Sequence, residues 1–193
     1  MYLGHPRLDF QVAAQSVDST LSQSPELLEV GCGTGYYSEV LRHLTRQPMR
    51  YVGIDYSEAM IARARQEYPN EKFFVADAAR LPFPNDAFDI VFNGVSLMHI
   101  LHYRDVIKES RRVTRKWCIF HTVPLLINRA TTVLTKSAYG GPTVELIFNE
   151  KEFLATLELE GFLVKRFWDS IPYDLGDLLE ERIHTKTFAC EIV

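Results

Sequence analysis

Cysteine is scarce in this 193-residue chain: Cys32, Cys118 and Cys190 are odd in number, far apart in sequence and never in CxxC spacing. That pattern excludes a disulfide framework and a cysteine zinc site, and it fits a reducing cytoplasm. No stretch approaches the ~20 consecutive apolar residues of a membrane span. His5, Pro6, Arg7 and Asp9 stand where a signal peptide would carry its apolar core. A cytoplasmic chain without a membrane partner is therefore expected. A basic excess is missing too. Lys and Arg number 21 against 25 Asp and Glu, a net charge of −4, so no nucleic acid is expected as a partner. Repeats, low-complexity runs and linkers are also absent. Residues 1–193 are expected to form a single domain, large enough to bury about 70% of its extended-chain surface.

What is present is an alternation of two periods. Short β-rich runs occur at residues 27–31, 51–55, 73–76, 88–93, 117–123, 162–167 and 185–192. Several are continuously apolar, as strands covered on both faces must be. Between them, helical stripes run through Tyr37, Val40, Leu41 and Leu44, through Met60, Ile61, Ala64 and Tyr68, through Val106, Ile107, Ser110 and Val113, and through Phe153, Leu154 and Leu157. Ser57 and Asn149 read as N-caps and Gly161 as a helix stop. The alternation predicts an α/β fold, a doubly wound sheet with right-handed crossovers. Ligands of such sheets lie beyond the carboxyl ends of the strands.

The first run ends in Glu29-Val30-Gly31-Cys32-Gly33-Thr34-Gly35-Tyr36 and leads into a helix. Glycines at alternate positions remove Cβ atoms that would keep a ligand from the backbone, and free helix N–H groups point toward it. A dinucleotide fingerprint would place its third glycine at position 36, which is tyrosine. The spacing therefore suits a smaller ligand than NAD or FAD. The second run ends in Asp55, where a carboxylate can accept from both hydroxyls of a ribose. The third leads to Asp77-Ala78, where a carboxylate can accept from an exocyclic amine and the next N–H can donate to a ring nitrogen. Asp77 could equally be a plain N-cap. Three acidic residues at successive strand ends point to a shared ligand.

Taken together, residues 28–35, Gly53-Ile54-Asp55-Tyr56-Ser57, Ala76-Asp77-Ala78 and Phe88-Asp89-Ile90-Val91-Phe92 resemble the successive motifs of class I S-adenosylmethionine-dependent methyltransferases. The resemblance covers about residues 26–122 and implies a Rossmann-like fold, a doubly wound, mostly parallel sheet of seven strands with helices on both faces and the last strand antiparallel, with S-adenosylmethionine as cofactor and S-adenosylhomocysteine as product. It implies that Glu29, Gly31, Gly33 and Gly35 line the methionine part, with Cys32 packed in the loop rather than acting as a nucleophile. Asp55 would hold the ribose, with Tyr56, Ser57 and Met60 beside the adenosine. Asp77 and Ala78 would recognise adenine, and Asn93 and Val95 would pass under the sulfonium. A Lys-Pro-Gly-Gly-like turn usual after position 113 is replaced by Thr114-Arg115-Lys116-Trp117.

The expected activity is methyl transfer to an O or N atom of a small-molecule acceptor. The alternatives are a non-catalytic adenosylmethionine-binding regulatory domain and, disfavoured by Tyr36, an NAD-dependent oxidoreductase. Deprotonating an acceptor calls for a base of near-neutral pKa. His99 and His121 are the candidates, His99 alternatively as a cap on the cofactor site and His121 as a satisfied strand histidine. His99, His102 and Asp105 share an i, i+3, i+6 spacing, but without further ligands an ordinary helix start is expected and no metal. No Asn-Pro-Pro-Tyr motif follows the fourth strand, so the usual mark of base or glutamine amide N-methylation is absent. Arg104, Lys108, Arg111, Arg112, Arg115 and Lys116 read as a solvated helix face. Residues 124–148 are expected to overhang the strand ends, as an acceptor lid or as a plain connecting loop. Either a monomer or a homodimer is compatible with the sequence.

Overall fold

Apolar residues at adjacent positions of one strand point to opposite sides of a sheet, and here both sides are buried. Leu27 and Leu28, and Ile90 and Val91, contribute alternately to two separate cores. The computed structural model describes residues 6–20, 23–138, 140–172 and 179–193. Five parallel strands form its centre: β1 (Glu26–Val30), β2 (Arg50–Asp55), β3 (Lys72–Val75), β4 (Phe88–Asn93) and β5 (Thr114–Leu126), in the order β3-β2-β1-β4-β5. Helices α1 (Leu8–Asp18), α2 (Tyr36–Leu44) and α3 (Glu58–Glu67) cover one face through Phe10, Ala13, Val40, Leu41, Ile61 and Ala64. Helices α4 (Tyr103–Val113) and α5 (Glu150–Leu159) cover the other through Val106, Ile107, Phe153 and Leu157. The chain order reverses between β1 and β4, so the switch point lies beyond Val30 and Asn93.

Beyond β5 the sheet forks. Residues Trp117 to Leu125 pair with antiparallel β9 (His184–Ile192), which also pairs antiparallel with β8 (Phe162–Asp169). The far end of β5 instead pairs parallel with β7 (Gly141–Asn149) at Leu125↔Phe148 and Leu126↔Asn149. Strand β7 forms an antiparallel hairpin with β6 (Thr132–Ala138). The α/β class and the antiparallel last strand are as expected. The strand count is not: among the described residues nine strands form, because the segment around 124–148 extends β5 and folds back as a hairpin. A loop reading of that segment overlooked the alternation in Val144, Glu145, Leu146, Ile147 and Phe148. Leu146 and Phe148 enter the core on the α4 side, and Ile147 packs with Leu126, Leu179 and Ile183.

Local chemistry sets the boundaries. Ser57 Oγ accepts from Met60 N (3.4 Å) and Asn149 Oδ1 from Glu152 N (3.1 Å), the expected N-caps. Gly161, with φ +80°, turns the chain from α5 into β8. The basic run on α4 is partly internal fastening. Arg112 donates to the carbonyls of Leu81 (3.0 Å) and Phe83 (2.7 Å) and pairs with Glu109 (2.7 Å), fixing the chain between β3 and β4. Arg115 pairs with Asp89. Helix α1 was not foreseen as a helix. Its Phe10, Val12, Ala13, Ala14 and Val17 are buried. The distant Cys118 and Cys190 are cross-strand partners on β5 and β9, both free thiols. Burial pushes both thiols up.

Candidate cofactor site

At the end of β1 the chain must turn sharply into α2, and three glycines with positive φ make the turn: Gly31 (+74°), Gly33 (+54°) and Gly35 (+80°). Gly31 N and Cys32 N both donate to the Ile54 carbonyl at 2.8 Å, tying the loop to β2. The three glycines are needed for different reasons. A Cβ on Gly31 would lie 2.3 Å from Ser96 Cβ and Oγ, and one on Gly35 2.6 Å from the Phe73 ring. A Cβ on Gly33 would meet nothing within 4 Å. Gly31 and Gly35 therefore serve packing within the chain, and Gly33 is the one that faces open space. The expectation that all three clear room for a ligand is corrected accordingly.

Acidic groups surround that space. Glu29 on β1 is 1% exposed, and Tyr51 on β2 donates its hydroxyl to Glu29 Oε2. Burial pushes the Glu29 carboxyl up to about 8, against the lowering effect of the Tyr51 hydrogen bond and with a small push from Asp55. Asp55, at the end of β2, accepts from Gly33 N through Oδ2 and from Ser57 N through Oδ1, each at 2.9 Å. It thus shapes the loop itself, and each oxygen keeps a second lone pair for a ligand. Asp77 is exposed and accepts from Ala79 N (2.9 Å) through Oδ1, with the buried Ala78 between them. Tyr56 is 83% exposed and Met60 37% exposed beside these carboxylates. Bare aromatic and thioether surface of this kind suits the flat face of a base.

Other expected contacts are not brought together. The Cys32 side chain is buried under Gly53, its Sγ 2.8 Å from where a Gly53 Cβ would lie, and burial pushes the thiol up, so it packs the loop. The Ser57 hydroxyl is engaged as the α3 cap. Asn93 is buried with Nδ2 donating to Ser110 Oγ (3.1 Å) and Cys118 Sγ (3.5 Å), so its side chain is committed to the α4 side of the core. Val95 packs against both cores at the sheet's end.

The two histidines separate clearly. His99 closes a short 3-10 turn (Leu97–His99), and its Nδ1 is 2.8 Å from the Val144 carbonyl on β7. A carbonyl only accepts, so Nδ1 carries the proton and Nε2 is the basic nitrogen of the neutral ring. His121 is 1% exposed, and both its nitrogens are engaged: Nε2 with the Tyr37 hydroxyl (2.9 Å) and Nδ1 with Thr187 Oγ1 (2.9 Å). Its ring stacks on Phe92, and burial pushes its pKa down to about 3. The base role expected for His121 is corrected: it is a neutral, satisfied core histidine. The sequence had missed Tyr51 and Ser96, which read as an ordinary strand residue and an ordinary loop residue. Among the described residues no group of three His, Cys, Asp or Glu is placed to hold a metal, and no helix is long and apolar enough to cross a membrane.

The family model described as a methyltransferase domain matches residues 28–120, the stretch that holds the glycine loop and all three acidic strand ends. The chain belongs to the class I S-adenosylmethionine-dependent methyltransferases. It is 30% identical over 140 residues to a probable S-adenosylmethionine-dependent methyltransferase of Mycolicibacterium smegmatis, covering 72% of this chain and 52% of the relative. It is 33% identical over 91 residues to a demethylmenaquinone methyltransferase of Lysinibacillus sphaericus, covering 46% of this chain and 39% of the relative. The chain thus spans about half or less of the length of these relatives. In fold it is similar to a methyltransferase of Methanosarcina mazei, with a TM-score of 0.71 at 18% identity over 92% of this chain and 96% of that one. S-adenosylmethionine is the cofactor of this methyltransferase family. The residues fit it: Gly33 leaves open space, Glu29 offers a buried acid and Asp55 retains lone pairs. Replacing Asp55 with Ala removes the acceptor of both Gly33 N and Ser57 N. It should weaken S-adenosylmethionine binding by roughly 1–3 kcal/mol and lower Tm as well. Calorimetric titration with a thermal melt checks both, and an unchanged affinity would remove Asp55 from the site.

Proposed function

We infer that this chain transfers a methyl group from S-adenosylmethionine to an O or N atom of a small-molecule acceptor. The observation that carries the reading is the open space at Gly33, whose N–H donates to the strand-end Asp55, in a loop that follows the buried Glu29. S-adenosylmethionine supplies a methyl group already activated on a sulfonium, so the protein's task is alignment and a suitable electrostatic environment. Glu29 and the Gly33 edge of the loop bind the amino-acid end. Asp55 takes the ribose hydroxyls, and Asp77, Ala78, Tyr56 and Met60 hold the adenine. The backbone from Asn93 to Val95 passes below the reacting end.

His99 receives the acceptor's proton at Nε2, its ring oriented through Nδ1 by the Val144 carbonyl. Because Val144 lies on β7, the β6–β7 hairpin is the acceptor-side cover, the lid role expected for residues 124–148. The demethylmenaquinone relative names a small organic acceptor, which favours the same class here. Arg112 and Arg115 are spent on internal pairs, which favours a small molecule over nucleic acid. Three buried free thiols suit the cytoplasm.

The test begins with calorimetric titration of S-adenosylmethionine, with NAD as control, and continues with a screen of small organic acceptors for transfer of labelled methyl. His99→Asn keeps an N–H for Val144 and removes the base. It should leave cofactor affinity unchanged and lower kcat by roughly 10²-fold or more. Unchanged kcat would remove His99 from the chemistry. Cofactor binding with no methyl transfer to any acceptor would favour a regulatory binding domain.

A further inference from the structure

Among the described residues Glu29 is an acid with no cationic partner. It sits at the carboxyl end of β1, 1% exposed, with Oε1 3.1 Å from where a Gly94 Cβ would lie and Oε2 accepting from Tyr51. The groups bearing on it are acidic or neutral: Tyr51 and Asp55 from β2, Tyr36 and Tyr37 from α2, and Cys32 from the loop. Arg7, just ahead of α1, acts on Tyr36 but is paired with Asp9 at 2.9 Å. Tyr51 is itself buried, its ring edge-on to Phe73, so its hydroxyl is held on one side of the carboxyl. A buried carboxyl in such a place stays protonated until a positive charge arrives.

We propose that Tyr51 is a positioning residue that holds the Glu29 carboxyl toward the ammonium of S-adenosylmethionine, and that cofactor loading drives the Glu29 proton into solvent. The inference rests on the cofactor reading above and adds a linkage to it. The balance is simple: the Glu29 O–H bond breaks, its proton goes to the buffer, and the carboxylate pairs with an ammonium that keeps all its protons. The Glu29 carboxyl raised to about 8 is what such a linkage needs. The direction follows from mass action, since a reaction that releases a proton is favoured as pH rises.

The experiment is calorimetric titration of S-adenosylmethionine at pH 6.5 in two buffers of different ionisation enthalpy. At that pH an α-amino group, unperturbed at about 7.7–8.0, is charged. Close to one proton should be released per cofactor bound, and affinity should rise about tenfold from pH 6 to pH 7. 5′-Methylthioadenosine, which lacks the amino-acid part, should bind without releasing a proton. Glu29→Gln should lose the release and flatten the pH dependence. If that variant fails to fold, the comparison of the two ligands on the unaltered chain decides. Tyr51→Phe should still release a proton but bind about tenfold more weakly at pH 7, its affinity levelling off at higher pH. A purely structural Tyr51 would lower Tm without moving that levelling point. Equal binding heats in the two buffers would overturn the proposal and leave the cofactor reading standing. No binding heat at all would overturn both.

Discussion

Gly33→Ala should leave the chain folded and cut S-adenosylmethionine affinity by roughly 10- to 100-fold, whereas Gly31→Ala, two residues away, should damage the fold itself. Both glycines have positive φ, so both substitutions cost about 1–2 kcal/mol in backbone strain. They differ in what the new methyl meets. At Gly33 it meets nothing in the chain within 4 Å, so on the proposed reading the added atom occupies space the ligand would fill. An extra methyl in a filled contact costs roughly 1–3 kcal/mol, and here the cofactor bears that cost. At Gly31 the methyl would overlap Ser96 Cβ and Oγ at 2.3 Å. Ser96 cannot swing away cheaply, because its Cβ is fixed by the backbone and its Oγ donates to the Val30 carbonyl (2.9 Å). Strain and overpacking together come to roughly 2–5 kcal/mol, much of the 5–15 kcal/mol that stabilises a typical domain. Urea unfolding and cofactor titration of both variants check this. A Gly33 variant that binds normally would show that the cofactor does not approach that glycine.

The cofactor-free chain should lose roughly 2 kcal/mol of stability between pH 6.5 and pH 8, the opposite of ordinary carboxylate behaviour. Glu29 holds its proton to about 8 in the folded chain, against 4.5 when unperturbed. The folded state therefore binds the extra proton in that interval, and the stability present below 4.5 is lost as pH rises through it, at about 1.4 kcal/mol per pH unit. His121 acts from the other side. Its folded pKa is about 3 against 6.5 unperturbed, so the unfolded chain takes the proton first and stability falls as pH drops below 6.5. Between 4.5 and 6.5 the two slopes oppose one another, and above 6.5 Glu29 acts alone. Unfolding free energies at pH 5.5, 6.5 and 8 should show the alkaline decline in the unaltered chain, and Glu29→Gln should abolish it. Replacing His121 with Gln should flatten the acid limb only. Stability that climbs steadily from pH 5.5 to pH 8 would contradict the buried, protonated state of Glu29.

Much of the geometry proposed to hold the cofactor was legible in sequence because it is local. A glycine loop, a strand-end Asp55 and a following Asp77 are fixed by short-range geometry, and the Ser57 and Asn149 caps by single hydrogen bonds to the next turn. His121 was harder to read. Its position in an apolar strand suited a base at a strand end as well as a core residue. Only Tyr37 and Thr187, 84 and 66 residues away in the chain, decide between them. Asn93, expected to pass under the sulfonium, has its side chain committed to Ser110 and Cys118, likewise distant in the chain.

The sequence by itself determined the α/β class, the parallel core and the family, since strand and helix periods and the motif spacing are properties of neighbouring residues. Tertiary structure alone decided which glycine faces open space, that Tyr51 holds Glu29, that His99 is oriented by Val144, and that the segment after β5 is a hairpin. Each of these depends on burial or on contacts between residues remote in the chain, and those exist only once the sheet has assembled.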